Sequence, residues 1–205
     1  MSIPADIFDR LQAQPYGAIR PQVRDGDVLL CSADDRFSRL IRWGACSPWS
    51  HVAIAFQMPA IDRVMVLECV EKLGVRALPL SMFITKTSSG VQPYPGRILL
   101  ARHAALAEMA GPGPLRQLAE FAFGRLGDPF SRIEMAKIVV RIVLGRFDVK
   151  LHPVLGPKDE FICSEFVARC FQAVGIEIPW DGLGFIGPGD IAADPRLEAV
   201  AQIQT

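Results

Sequence analysis

Apolar side chains recur every second residue through the first half of this chain and every third or fourth through the second, and the change falls near residue 103. A period of two puts apolar groups on one face of a strand, and a period near 3.6 puts them on one stripe of a helix. The strand-like segments are "DGDVLLCS" (25–32), "HVAIAF" (51–56), "RVMVLECV" (63–70), "GVRALPL" (74–80) and "GRILLAR" (96–102). The helical ones are "GPLRQLAEFAFGRLG" (113–127), "SRIEMAKIVVRIVLG" (131–145) and "DEFICSEFVARCFQAVG" (159–175), with one short helix, 35–45, set among the strands. Strands gathered first and helices after predict an α+β fold, an antiparallel sheet or small barrel packed against a helical half. Residues 1–24 read as a lead-in with a short helix, 103–114 as a linker, and "PGDIAADPRLEAV" as a proline-led turn and short closing segment. With 205 residues, half of them apolar, the chain can bury one sizeable core, so residues 1–205 are expected to form a single domain.

Charge and cysteine usage narrow the classes. Lys plus Arg equals Asp plus Glu, so no imbalance points to nucleic acid or an anionic membrane surface. The longest apolar stretch, "IVVRIVLG" (138–145), is interrupted by Arg141 and is too short to span a bilayer. The first residues carry no basic region followed by an apolar one, as a secretory signal would. Five cysteines form an odd set without a CxxC pair, which suits a reducing compartment, and a cytoplasmic location is expected. The three histidines stand apart, with no HxH or HExxH spacing, so neither a metal nor another cofactor is expected.

Two titratable groups sit in apolar strands. His51 opens "HVAIAF", sharing a face with Ala53 and Ala55, small neighbours that leave room for an approach to the ring. Glu68 lies inside "VMVLECV", where an ionised carboxylate needs a partner. If "QMPAID" (57–62) is the hairpin loop, Phe56 pairs with Arg63 and His51 falls opposite Glu68, with Cβ atoms about 5 Å apart. A slip of one residue would turn the glutamate to the other face.

A nucleophile would complete the set. Cys163 lies in the first turn of the 159–175 helix, where unpaired amides and the helix dipole favour a thiolate. A buried cysteine is as a rule a small hydrophobe, and these residues alone leave both readings open. Cys170, two turns in, belongs to the apolar stripe.

In order, "GDVLL", "SPWSHVAIAF", "VLECVEKLGVRALPL", "FICSEFVARCFQAVGI" and "GPGDIAADPRLEAV" resemble the circularly permuted YaeF/YiiX-like group of the NlpC-type papain-like cysteine peptidases, which is related to lecithin retinol acyltransferase-like proteins. The order histidine, acid, cysteine is that of the permuted group. The resemblance implies a permuted papain-like fold, with Cys163 as nucleophile, His51 as general base and Glu68 as the group orienting it. Phe130 and Phe161 stand near the nucleophile in that resemblance, and apolar weight around the site adds Trp49; the three are expected to bind substrate, although Trp49 and Phe161 would serve equally well as core. The implied reaction is hydrolysis of an amide or ester through a cysteine acyl-enzyme, on a small-molecule, peptide, N-acyl or lipid-like substrate. Acyl transfer, or a binding module that keeps the fold without the chemistry, are the alternatives.

Overall fold

The computed structural model describes residues 3–4, 6–87, 90–109, 111–131, 161–179 and 186–205. The helix expected over 131–145 lies outside them beyond its first residue. The strands are β1 (Ala13–Gln14), β2 (Asp27–Ala33), β3 (His51–Met58), β4 (Arg63–Val70), β5 (Gly74–Pro79), β6 (Lys86–Thr87), β7 (Gly90–Val91), β8 (Gly96–His103) and β9 (Leu197–Ile203). Seven of them form one open sheet in the order β1-β9-β8-β2-β3-β4-β5, and β6 and β7 form a separate ribbon. Every neighbour in the large sheet is antiparallel except the short β1–β9 pair. The described helices are α1 (Ile7–Arg10), α2 (Tyr16–Ile19), α3 (Arg36–Gly44), α4 (Leu80–Thr85), α5 (Ala104–Glu108), α6 (Gly113–Gly124), α7 (Cys163–Gln172) and α8 (Pro188–Ala193). The fold is α+β, as the change of period predicts.

Strand alternation sorts the core into two clusters. Val28, Leu30, Val52, Ile54, Phe56, Leu67 and Cys69 face α6 and α7, where they meet Leu118, Phe166, Val167 and Phe171. Leu29, Cys31, Ala53, Ala55, Val64 and Val66 face the other way and pack with Leu80, Phe83 and Ile84 of the α4 region. The space beside Ala53 and Ala55, expected to admit an approach to His51, is therefore taken by these larger side chains.

The β3–β4 hairpin differs from expectation in a way that leaves its faces intact. Met58, not Phe56, pairs with Arg63, and Ile54 pairs with Leu67. The strand runs two residues further because Gln57 is held: its N–H donates to Asp25 Oδ1 (2.6 Å), and its side-chain amide donates to the Arg20 and Val23 carbonyls (3.0 and 2.9 Å). A turn at Pro59–Ile61 and a left-handed Asp62 then close the hairpin. The register moves by two, so every side chain keeps its face. The ladder between these strands ends at Ile54–Leu67, although β3 begins at His51 and β4 continues to Val70.

The closing segment is a strand, not a loose end. β9 lies inside the sheet between β8 and β1. A bulge at Leu100/Ala101 sets Leu100 against Ala201 but Ala101 against Ala199, leaving Val200 as the extra residue. The bulge breaks the alternation that marks a strand. The 103–114 stretch likewise contains α5 rather than loop alone.

Candidate active site

β4 and β5 carry the first half of the site. The hairpin that joins them sets Glu68 directly opposite Arg76. It depends on Gly74, which holds φ +68° and passes so close to the segment before α7 that a Cβ would lie 2.1 Å from the Asp128 carbonyl oxygen. The Val75 N–H donates to that carbonyl (2.9 Å), and the Gly127 N–H donates back to the Val75 carbonyl (2.9 Å). Phe161 continues the chain of contacts, donating its N–H to the Pro129 carbonyl (3.1 Å). The start of α7 is thus tied to the β4–β5 hairpin through "GDPF".

Glu68 has a buried side chain, 4% exposed, and both oxygens are engaged. Oε2 lies 2.7 Å from His51 Nε2. Oε1 accepts from Arg76 Nε (2.8 Å) and Nη2 (2.5 Å). Burial works against the carboxylate's charge, yet His51 and Arg76 together hold its pKa below the ordinary range.

Cys163 is the first residue of α7, after an extended Ile162 that makes no side-chain cap. The first intrahelical bond runs from the Phe166 N–H to the Ile162 carbonyl (2.9 Å), so the amides before it have no helical partner. The N–H groups of Ser164 and of Val52, the latter just past the end of the β3–β4 ladder, hydrogen-bond the Cys163 sulfur, as does the His51 ring. Because Glu68 occupies Nε2, Nδ1 is the ring nitrogen left for the thiol. Burial opposes the thiolate, but the His51 charge and these donors outweigh it and lower the pKa. The other buried cysteines go the opposite way. Burial raises Cys31 and Cys170, and pushes Cys69 up to about 12. For His51, burial disfavours the cation, and Cys163 and then Glu68 overcome it, raising the pKa to about 10. Both shifts favour the same charge state, a thiolate beside an imidazolium.

His51, Glu68 and Cys163 therefore meet, whereas the aromatic residues divide. Trp49 is 2% exposed with its ring 5.3 Å from Phe8, and Phe161 is 3% exposed. Their burial gives both to the core rather than to a ligand surface. Phe130 is half-buried and bridges to Phe161. Sequence reasoning missed Arg76, although a signal was present. An acid in an apolar strand, followed across a Gly-closed hairpin by an arginine, invites the same pairing arithmetic that was applied to His51.

Among the described residues no group of three or more His, Cys, Asp and Glu side chains can hold a metal ion. Both oxygens of Glu68 are already engaged, one by His51 and the other by Arg76. No described helix is long and apolar enough to cross a membrane.

Comparison with known proteins follows the same lines. The chain is similar in fold to the crystal structure of metalloprotein yiiX from Escherichia coli O157:H7 (DUF1105), with a TM-score of 0.63 and 17% identity over 90% of this chain and 99% of that one. No curated protein matches it. The model of the permuted papain-like amidase enzymes, YaeF/YiiX, C92 family, matches residues 22–133, a stretch that holds His51, Glu68 and Arg76 and stops short of Cys163. On that match, which spans more than half of its length, the chain belongs to the permuted papain-like amidase family.

Proposed function

We propose that this chain is a cysteine hydrolase that cleaves an amide or ester bond through an acyl-enzyme on Cys163, with His51 as acid and base and Glu68 as the group that orients it. The observation that carries the reading is the environment of the sulfur. Of the buried cysteines, Cys163 alone has a lowered pKa, and it shares its proton donor with a buried carboxylate. The thiolate attacks the carbonyl carbon, and the electron pair of the C=O moves to oxygen. The Cys163 N–H, without a helical partner, is suited to receive that oxyanion. Imidazolium Nδ1–H then protonates the leaving amine or alkoxide as the C–N or C–O bond breaks. In the second half, His51 takes a proton from water, hydroxide adds to the thioester, and the thiolate leaves with the acid product. Glu68 keeps its negative charge throughout and fixes the ring through Nε2.

Small peptides and N-acyl or lipid-linked compounds are the substrate classes that the family resemblance favours. They share the carbonyl on which this chemistry acts. Five cysteines without a disulfide support a reducing, cytoplasmic setting. The test is iodoacetamide labelling at pH 6, where an ordinary thiol with a pKa of about 8.5 reacts slowly. Stoichiometric labelling at Cys163, absent from Cys163→Ala, together with an acyl adduct on Cys163 from a cell extract, is the expected result. Labelling no faster than that of Cys46, the exposed cysteine, would remove Cys163 from the role of nucleophile.

A further inference from the structure

Arg76 is used by nothing in the mechanism above, yet it makes the densest polar contact in the site. Its guanidinium places two N–H groups on one oxygen of Glu68 and leaves the other oxygen to His51. The two residues are a directly opposed cross-strand pair, so the contact is built into the β4–β5 register. We infer that Arg76 is a positioning residue: it clamps Glu68 so that Oε2 faces His51, and it supplies the charge that balances the buried Cys163–His51–Glu68 cluster. The inference rests on the proposed roles of those three residues.

In its reactive form the cluster holds a thiolate, an imidazolium and a carboxylate, a net charge of −1 in a buried site. Arg76 brings the net charge to zero. The other titratable groups around the site do not do so. Cys69 on β4 and Cys31 on β2 are neutral thiols, and Tyr94 hydrogen-bonds Cys31 as a neutral phenol. Glu165 on α7 and Asp128 after α6, both of which act on Cys69, are acids, and Arg125, whose guanidinium lies over the Phe161 ring, is ion-paired with Asp128 (3.5 Å). Without Arg76 the cheapest relief is to bind one proton. It goes to sulfur and not to Glu68, because Glu68 keeps His51 at 2.7 Å and a carboxylate is ordinarily about four units more acidic than a thiol. The reactive thiolate then forms only at higher pH. A guanidinium also matters as a shape: its planar fork can put two donors on one oxygen, which a lysine ammonium reproduces in charge but not in direction.

The experiment measures the rate of Cys163 alkylation by iodoacetamide against pH, by mass, in the full-length protein. Arg76→Met is expected to move the acid limb up by about one unit, a loss of about tenfold in rate at pH values below the limb. Arg76→Lys should recover most of that shift. The double variant Glu68→Gln with Arg76→Met, which removes one charge of each sign, should return the limb close to wild type. The double variant also serves if Arg76→Met alone fails to fold. A simple strap would lower the melting temperature and leave the limb where it is. Outcomes separate cleanly. A wild-type limb at the ordinary thiol value overturns the Cys163 reading and this one with it. A low wild-type limb that stays put in Arg76→Met, or a double variant with the limb still raised, overturns the role of Arg76 alone.

Discussion

Replacing Glu68 by Gln tests how much of the His51 charge the carboxylate sustains. The change keeps the size of the side chain and removes only the charge. His51 Nε2 lies 2.7 Å from Glu68 Oε2, and the two side chains are 18% and 4% exposed. Opposite charges centred about 4 Å apart attract by about 4 kcal/mol at an effective dielectric near 20. Since one pKa unit is about 1.4 kcal/mol, that attraction is worth about three units. Glutamine returns little of it, because its single carbonyl oxygen must choose between His51 and Arg76, and its NH2 faces donors on either side. The His51 pKa, raised to about 10 in the native site with Cys163 as the larger support, should therefore fall by up to about three units in Glu68→Gln. The assay is an NMR titration of histidine-labelled protein, with His51→Ala to assign the resonance among the three histidines. Hydrolysis should slow by roughly 10- to 10⁴-fold without vanishing, because the carboxylate fixes the ring and does not itself take the proton. A wild-type His51 that titrates near 6.5, or a Glu68→Gln variant with an unmoved titration, would refute the coupling.

Two predictions concern the scaffold. His103 is 1% exposed, accepts the Ala105 N–H at Nδ1 (3.2 Å) and reaches Asp194 Oδ2 through Nε2 (3.3 Å), so it is neutral with its proton on Nε2. Burial, opposed by Asp194, lowers its pKa below the unfolded value of 6.5. Between the two values the unfolded chain binds the extra proton, so stability rises with pH across that window and is lost as pH falls from about 6.5. Urea midpoints against pH should show this slope in the wild type and lose it in His103→Gln; parallel curves would contradict the assignment. Asp27, 1% exposed, accepts Arg102 Nε and Nη2 (2.7 Å each) and the Arg24 N–H (2.8 Å). Arg102→Met leaves that carboxylate buried without its counterion and should cost about 3–5 kcal/mol in urea unfolding. A loss under about 1 kcal/mol would mean that water reaches Asp27 after all.

What could be read in the sequence was whatever depends on the period of a single element. β4 runs over Arg63–Val70, as its alternation predicts, and Cys163 lies in the first turn of a helix, as its period predicts, although that helix begins at Cys163 itself. What was lost depends on which element lies beside which. The hairpin register came out wrong by two because Gln57 is held by Asp25, Arg20 and Val23, groups 32 or more residues away. The error did no harm to the site because two is the period of a strand. β9 was missed for the same kind of reason: its bulge answers to β8, not to its own pattern. Trp49 looked like a ligand surface because it stands next to the site in sequence, but its ring turns to Phe8, 41 positions away. Arg76 is the instructive case. Glu68 was singled out because a buried carboxylate needs a partner, and His51 was offered as that partner. A neutral imidazole cannot balance a carboxylate, and an imidazolium beside a thiolate is already balanced. The same desolvation argument that found Glu68 therefore called for one more cation, and the strand facing it across the tightest hairpin in the sheet holds one.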